Sequence, residues 1–165
     1  MSQEKGFSLI ELLIVVAIIL IIAAIAIPSM LKARAAANQA SAVGSLRTLN
    51  TAEVTYASTY NTGYSFTLAA LGGTGVATIN NAELIDTVLA SGTKSSYNFY
   101  YVACPAALGP NAGAMANGGC TLVMNYQISA NPAAGVGNFY YTDASGVVRV
   151  NTSALAGPTD APLAG

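Results

Sequence analysis

The sequence predicts an α+β fold in which a long N-terminal α-helix packs, through its second half, on a four-stranded antiparallel sheet. Three observations support this prediction. An apolar run over residues 12–27 continues into an Ala-rich stretch with helical periodicity that reaches Tyr60. After Lys94 the hydrophobic period changes to two, which is typical of strands. Residues 143–146, Asp-Ala-Ser-Gly, form a hairpin turn signal between two short strand-like segments.

The composition indicates an apolar segment joined to a weakly charged domain. Charged residues make up 8% of the 165 residues and hydrophobic residues 53%, whereas about a quarter of an average domain is charged. The net charge of -1 implies no bulk attraction to nucleic acid, and no basic, aromatic-lined stripe is present. We therefore expect a leader at residues 1–6, an apolar helix at residues 7–30 and a globular head at residues 31–165.

The first part of the helix is apolar enough to cross a bilayer. From Phe7 to Ile27 only Ser8 and Glu11 are polar, and about 20 apolar residues span the hydrocarbon core of ~30 Å. A carboxylate deep in a membrane costs roughly 2.5–3.5 kcal/mol, so Glu11 is expected to need a partner.

The second part of the helix is amphipathic. Apolar side chains recur at helical spacing in a stripe that includes Ala42, Leu46, Leu49, Tyr56 and Tyr60. One helix from residue 7 to residue 60 would extend about 80 Å, which no domain of this size can enclose. Its first half is therefore expected to be buried by lipid and, at another time, by protein partners.

A single proline interrupts this helix. Pro28 lacks an N–H group and crowds the carbonyl of Ala24, which predicts a kink or local unwinding. Two interpretations follow from the residues: a boundary between anchor and head, or a flexible joint.

The segment between the helix and the strands is predicted to contain a loop and a short helix. Asn61-Thr62-Gly63 carries C-terminal helix signals. Residues 64–78 are expected to form a surface loop, with Phe66 and Leu68 turned to the core. A helix over residues 82–90 is expected, with Asn81 as its cap, and its inner face would consist of Leu84, Ile85, Val88 and Leu89.

The four strands are predicted at residues 97–104, 122–129, 138–142 and 147–150. In the second strand Leu122, Met124, Tyr126 and Ile128 alternate with a largely polar set, which predicts a half-buried strand. The tail after Asn151 is rich in Pro, Gly and Ala and is expected to lie on the surface.

The two cysteines, Cys104 and Cys120, predict a disulfide if the domain is exported. A bridge closing about 15 residues would stabilise the domain by roughly 3 kcal/mol in the chain-entropy model. Two buried free thiols or half of a metal site are the alternatives. The absence of His and of any CxxC motif makes zinc the weaker interpretation.

Catalytic motifs are missing from the sequence. The chain contains no His, which removes the usual triads and most catalytic zinc sites, and it has no GxxxxGK[ST] phosphate loop. We therefore predict no enzyme activity, no catalytic residue, no cofactor and no metal site. The nine tyrosines are interpreted as core and strand residues rather than as a path for electrons.

The N-terminal segment Gly6-Phe7-Ser8-Leu9-Ile10-Glu11-Leu12-Leu13-Ile14-Val15 resembles the class III signal of type IV pilins and pseudopilins. A secretory signal peptide or a plain membrane anchor would explain an apolar run, but neither explains Glu11 or the Gly6-Phe7 junction. The resemblance implies that a prepilin peptidase cuts between Gly6 and Phe7, that Phe7 is then N-methylated, and that the fold is the pilin fold.

The same resemblance implies roles and partners. Glu11 would dock each subunit into a helical homo-oligomeric filament, and Pro28 would give the helix flexibility. The chain would lie in the bacterial inner membrane, single-pass with its head outside the cytoplasm, and would be surrounded by lipid until the pilus assembly machinery moves it into an extracellular pilus. Lys32 and Arg34 favour the opposite orientation under the positive-inside rule.

Three functions follow from this resemblance. The first is the major subunit of a type IV pilus for adhesion or motility. The second is a pseudopilin of a type II secretion system. The third is a membrane-anchored binding module that does not polymerise.

Overall fold

A computed structural model describes residues 6–103 and 123–163. It contains helices α1 (Leu9–Tyr60), α2 (Leu68–Leu71) and α3 (Thr87–Ala90) and strands β1 (Thr93–Lys94), β2 (Tyr97–Ala103), β3 (Tyr126–Pro132), β4 (Phe139–Asp143) and β5 (Arg149–Asn151). The α+β class is confirmed. The chain divides into two compact units, one ending at Ala37 and one beginning at Asn38. The predicted division at residues 30 and 31 stays a prediction.

The sheet is an antiparallel meander in the order β1-β2-β3-β4-β5, so five strands replace the four predicted. The additional strand, β1, has two residues and pairs Thr93 with Asn98. Ser95 and Ser96 connect it to β2 with φ angles of 52° and 60°, as in the two-residue hairpin turns that match strand twist. The strand is too short for a periodic pattern, and its turn lacks the glycine that usually marks this conformation.

The beginning of β3 differs from the predicted strand. Alternation of buried and half-buried side chains holds from Tyr126 to Pro132, but Met124 is 72% exposed and Val123 is buried, the reverse of the predicted faces. Val123 forms an isolated parallel bridge with Gly63, outside the antiparallel ladder. The pairing at residue 123 therefore does not continue the register of β3.

The tail after β5 lies mostly on the surface, as predicted, and it is also bonded to β5 through its backbone. The N–H of Val150 donates to the carbonyl of Ala161 at 3.1 Å, and that of Leu163 donates to Val148 at 2.8 Å. Ala156 is fully buried. The tail thus pairs with the edge that β5 would otherwise expose, which satisfies backbone groups that would be open to pairing with another chain.

The core of the second unit lies between α1 and the sheet. The predicted stripe is confirmed, because Ala42, Leu46, Leu49 and Tyr56 are all buried. They belong to one cluster with sheet residues that include Tyr97, Phe99, Tyr126, Ile128, Ala130 and Tyr140. Tyr60 is only partly buried at the margin of this cluster.

The segment between α1 and β1 is partly as predicted. α1 ends at Tyr60, followed by Asn61 at φ 54° and Gly63 at φ 80°, which confirms the predicted end. The segment at residues 64–78 is not only a loop, because it contains α2. Leu68 is buried there, whereas Phe66 is 37% exposed.

The predicted helix at residues 82–90 is reduced to α3. Its cap is Asp86, whose side chain accepts a hydrogen bond from the Leu89 N–H at 2.8 Å, and not Asn81. Residues 82–85 instead bond to the backbone of residues 70–72, and Glu83 has a φ of 54° that no α-helix accommodates. Val88 is exposed rather than on an inner face.

Candidate functional site

The Glu11 side chain caps the N-terminus of α1. The Ser8 N–H donates to Glu11 Oε2 at 2.9 Å, and the Ser8 carbonyl accepts from the Glu11 N–H at 3.1 Å. This is the carboxylate half of a capping box, whose signature is Ser/Thr followed three residues later by Glu or Gln. Our sequence analysis missed this signal, although Ser8 and Glu11 carry it.

The capping contact orients the Glu11 carboxylate. It turns the carboxylate back toward the first residues of the chain, where the unpaired N–H groups of a helix favour negative charge. Phe7 lies immediately outside the helix. Glu11 is exposed in the single chain, so both of its oxygens remain open to a further donor.

The first part of α1 exposes an apolar surface that is continuous along the sequence. Every large hydrophobic side chain from Phe7 to Leu31 is exposed, with Phe7 at 82%. By length and composition α1 can cross a membrane, since its most apolar 18 residues have a mean hydropathy of 3.3 and none of them is buried. An apolar surface of this extent marks contact with protein or membrane.

Pro28 lies inside α1 and does not end it. Since proline has no N–H, the carbonyl of Ala24 loses its helical donor there. The first charges after the apolar surface are Lys32 and Arg34, and both are exposed. Flexibility at Pro28 stays a prediction.

Cys104 and Cys120 lie outside the described residues, so their disulfide also stays a prediction.

Within the second unit, Asn50 joins α1 to the sheet. Its Nδ2 donates to Thr142 Oγ1 at 2.9 Å and to the Gly146 carbonyl at 3.2 Å. Its Oδ1 accepts from the Tyr126 hydroxyl at 3.0 Å. One amide on the helix therefore contacts strands β3 and β4 and the turn that follows β4.

Glu53 is a fully buried carboxyl group that our sequence analysis did not single out. Its Oε2 accepts from the Ser65 N–H at 2.8 Å and its Oε1 from Ser65 Oγ at 2.6 Å. Burial raises the pKa of Glu53, and the two bonds from Ser65 oppose that rise. Its position in the sequence could have indicated burial, because Glu53 falls between Leu49 and Tyr56 on the apolar stripe of α1.

Comparison with known proteins identifies the N-terminal segment. Residues 1–27 match the family model described as the prokaryotic N-terminal methylation motif. A type IV major pilin protein, PilA, of Myxococcus xanthus is 50% identical over 54 residues, which are 33% of this chain and 24% of that protein. A type IV wide pilus major component, PilA4, of Thermus thermophilus is 63% identical over 38 residues, 23% of this chain and 29% of that protein.

These matches are confined to a minor part of the chain. It spans 24% and 29% of the lengths of the two relatives, and no solved structure matches it. The matched family segment contains Gly6, Phe7 and Glu11, the residues on which the resemblance depends. The resemblance is thereby confirmed: residues 1–27 carry the N-terminal methylation motif, and the chain is similar to type IV pilins over a minor part of its length.

Proposed function

We propose that this chain is a major structural subunit of a type IV pilus. One observation carries the proposal: the exposed apolar surface from Phe7 to Leu31, most of it on α1, largely coincides with the methylation motif at residues 1–27. The relatives are a major pilin and a major pilus component, which favours a structural role over an enzymatic one. Adhesion and motility are the functions such a filament would serve.

Processing would take place between Gly6 and Phe7. Both residues precede the first residue of α1 and are exposed, and a peptidase needs such an accessible, non-helical substrate. Cleavage by a prepilin peptidase would free the α-amino group of Phe7, which would then be methylated. The head would remain outside the cytoplasm, anchored in the inner membrane through α1, until the pilus assembly machinery takes up the subunit.

Assembly would replace lipid by copies of the same helix around the apolar surface. At about 25 cal/mol per Å² of apolar area buried, a helix-sized contact exceeds the contribution of one ion pair. Glu11 would therefore determine register more than net stability. Its partner would be the α-amino group of Phe7 on a neighbouring subunit, because a buried carboxylate needs a nearby cation.

The processing step is tested by N-terminal mass spectrometry of material sheared from the cell surface. We expect a mature chain that begins at methylated Phe7. Loss of protein secretion without loss of filaments, on deletion of the gene, would instead indicate a pseudopilin. An uncleaved product that stays monomeric in the membrane would indicate a tethered binding module.

The role of Glu11 is tested with two substitutions. Glu11→Ala removes both the helix cap and the charge, whereas Glu11→Gln keeps an acceptor for the Ser8 N–H and removes only the charge. We expect both variants to reach the membrane and to lower filament yield more than about tenfold, since a buried charge left without its partner costs about 3–5 kcal/mol. Immunoblots of sheared and membrane fractions measure this, with Glu83→Gln, at an exposed carboxylate of the head, as control.

Normal filaments from Glu11→Gln but not from Glu11→Ala would show that Glu11 acts through the helix cap, and the pairing proposal would then be wrong.

A further inference from the structure

The Glu53 carboxyl group lies inside the head with no exposed surface. Its hydrogen-bond partners lie on the connection that follows α1, at Ser65, and on β2, at Tyr101. Ser65 donates to both of its oxygens, and the Tyr101 hydroxyl donates to the Ser65 carbonyl at 2.7 Å. Through these hydrogen bonds, Ser65 in the connection between α1 and α2 is bound both to α1 and to β2.

No cation balances this carboxyl group among the residues that the structure describes. The ion pair found there joins Lys94 to Asp86 at 2.8 Å. The segment at residues 104–122 contains no Lys, Arg or His in its sequence. A buried carboxyl group without a cation favours its neutral form, because burial removes water from the charged form. In that form Oε1 would donate to Ser65 Oγ, which can then donate to the Thr67 carbonyl at 3.2 Å.

The other titratable groups near Glu53 are hydroxyls. A hydrogen bond from Tyr101 on β2 acts to lower the pKa of Glu53, against the larger effect of burial, and a charge on Glu53 would raise the pKa of Tyr56 on α1, Tyr101 on β2 and Tyr126 on β3. Burial raises the pKa of all three above the usual value of 10.0, so they stay neutral below that pH. α2 (Leu68–Leu71) carries no titratable side chain.

We propose that Glu53 is a proton-linked latch that holds the connection between α1 and α2 in place and makes the head more stable in mild acid than at neutral pH. This inference goes beyond the proposed function, because it concerns how the head responds to the medium whether or not the chain polymerises.

The direction follows from proton linkage. The pKa of Glu53 is raised from its usual value of 4.5, so between pH 4.5 and the raised pKa the folded chain binds a proton that the unfolded chain has released. The stability that Glu53 provides is fully present below pH 4.5 and is lost as the pH rises through the raised pKa. The pKa of Asp86 is lowered from 3.8, mainly by its bond to Lys94, so Asp86 loses its contribution only in stronger acid.

The test is thermal unfolding of the full mature chain in detergent, followed by near-UV circular dichroism from pH 4.5 to pH 8. All nine tyrosines lie between residues 56 and 141, so this signal reports on the head and not on the apolar surface. We expect the melting temperature of the wild type to fall by about 3 °C per pH unit above pH 4.5 until Glu53 is ionised.

Two variants test whether Glu53 causes the pH dependence of the melting temperature. Glu53→Gln is neutral at every pH and should remove the slope, whereas Glu83→Gln, at an exposed carboxylate, should keep it. An unchanged slope in Glu53→Gln would overturn the proposal, and so would a wild type whose melting temperature is constant or rises over this range.

A second measurement covers the case in which Glu53→Gln does not fold. Infrared spectra of a mature chain with carbon-13-labelled glutamate, in a Glu11→Gln/Glu83→Gln background that leaves Glu53 as the single labelled group, should show a protonated carboxyl band about one pH unit above 4.5 that is largely lost on unfolding. Complete ionisation of the labelled group in the folded chain at that pH would overturn the proposal.

Discussion

The two halves of α1 have opposite relations to solvent. From residue 9 to residue 31 the large apolar side chains are exposed. From residue 42 to residue 56 the apolar stripe is buried, and Arg47, Thr48 and Thr51 are exposed on the other side. The second half meets a sheet built from its own chain, whereas no described residue covers the first half. One helix thus serves as a core element along one half and as a surface that needs lipid or another copy along the other.

The two glutamates of α1 show the same contrast. Glu11 is exposed and accepts a hydrogen bond from the end of its own helix. Glu53 is buried and accepts two hydrogen bonds from Ser65. Water still solvates Glu11 in the single chain, so its need for a cation arises only on burial. Glu53 is already buried in the single chain, so the free-energy cost of burying its carboxyl group is included in the stability of the head.

The largest effect should come from shortening a buried apolar side chain in the second half of α1, with an exposed one in the first half as the comparison. Leu46→Ala removes a fully buried side chain and should lower the free energy of unfolding of the head by about 2–5 kcal/mol, because it leaves a cavity. Ile19→Ala removes an exposed one and should change that free energy by less than about 0.5 kcal/mol. Urea unfolding of the full chain in detergent, followed by near-UV circular dichroism, measures both.

Filament yield should respond to Ile19→Ala, although the stability of the head should not. Ile19→Ala should weaken assembly while leaving the head intact, because it removes part of the surface that is proposed to be buried between copies. Equal destabilisation of the head by the two substitutions would break the contrast between the halves of α1.

An intermediate effect should come from the amide that joins α1 to the sheet. Asn50→Ala leaves the Tyr126 hydroxyl without its acceptor in a buried position and should cost about 1–3 kcal/mol. Thr48→Ala is the matched control, since Thr48 is exposed and bonds only to the Gly44 carbonyl of its own helix, at 3.1 Å. A cost below that of Thr48→Ala, in the same unfolding measurement, would show that Asn50 does not hold the helix to the sheet.

A smaller effect than that of Leu46→Ala or Asn50→Ala, and of opposite sign, is expected at Gly44. A Cβ at this exposed helical position would meet no atom within 4 Å, so Gly44→Ala should stabilise the head by about 0.5–1 kcal/mol. Gly146 has equally open surroundings but a φ of +73°. Gly146→Ala should therefore destabilise the head, by about 1 kcal/mol or more. A loss of stability on Gly44→Ala would mean that other atoms of the folded head contact this face of α1.

Predictions from the sequence succeeded where the signal is local. The end of α1 at Asn61-Thr62-Gly63 and the buried stripe of Ala42, Leu46, Leu49 and Tyr56 are both confirmed. Spacing along one helix carries this information, and it is independent of the rest of the fold. The capping contact between Ser8 and Glu11 was equally local and could have been predicted.

Failures occurred where distant segments compete for the same backbone groups. Residues 82–85 have helical spacing, but they bond to residues 70–72, and this leaves Asp86 to cap a shorter helix. Val123 was assigned to the wrong face because its bridge to Gly63 lies outside the strand ladder. Neither pairing has a signature in its own neighbourhood of the sequence.

The sequence by itself determined that an apolar helix with a methylation motif begins this chain, and that a small α+β head follows it. Only the tertiary structure decided that Glu53 has no exposed surface, that β1 adds a fifth strand and that the tail covers β5. The physical reason is the separation along the chain of the residues that interact. Helix periodicity and turn chemistry act between residues close in the chain, whereas burial of a charge and pairing of an edge depend on segments that meet only after folding.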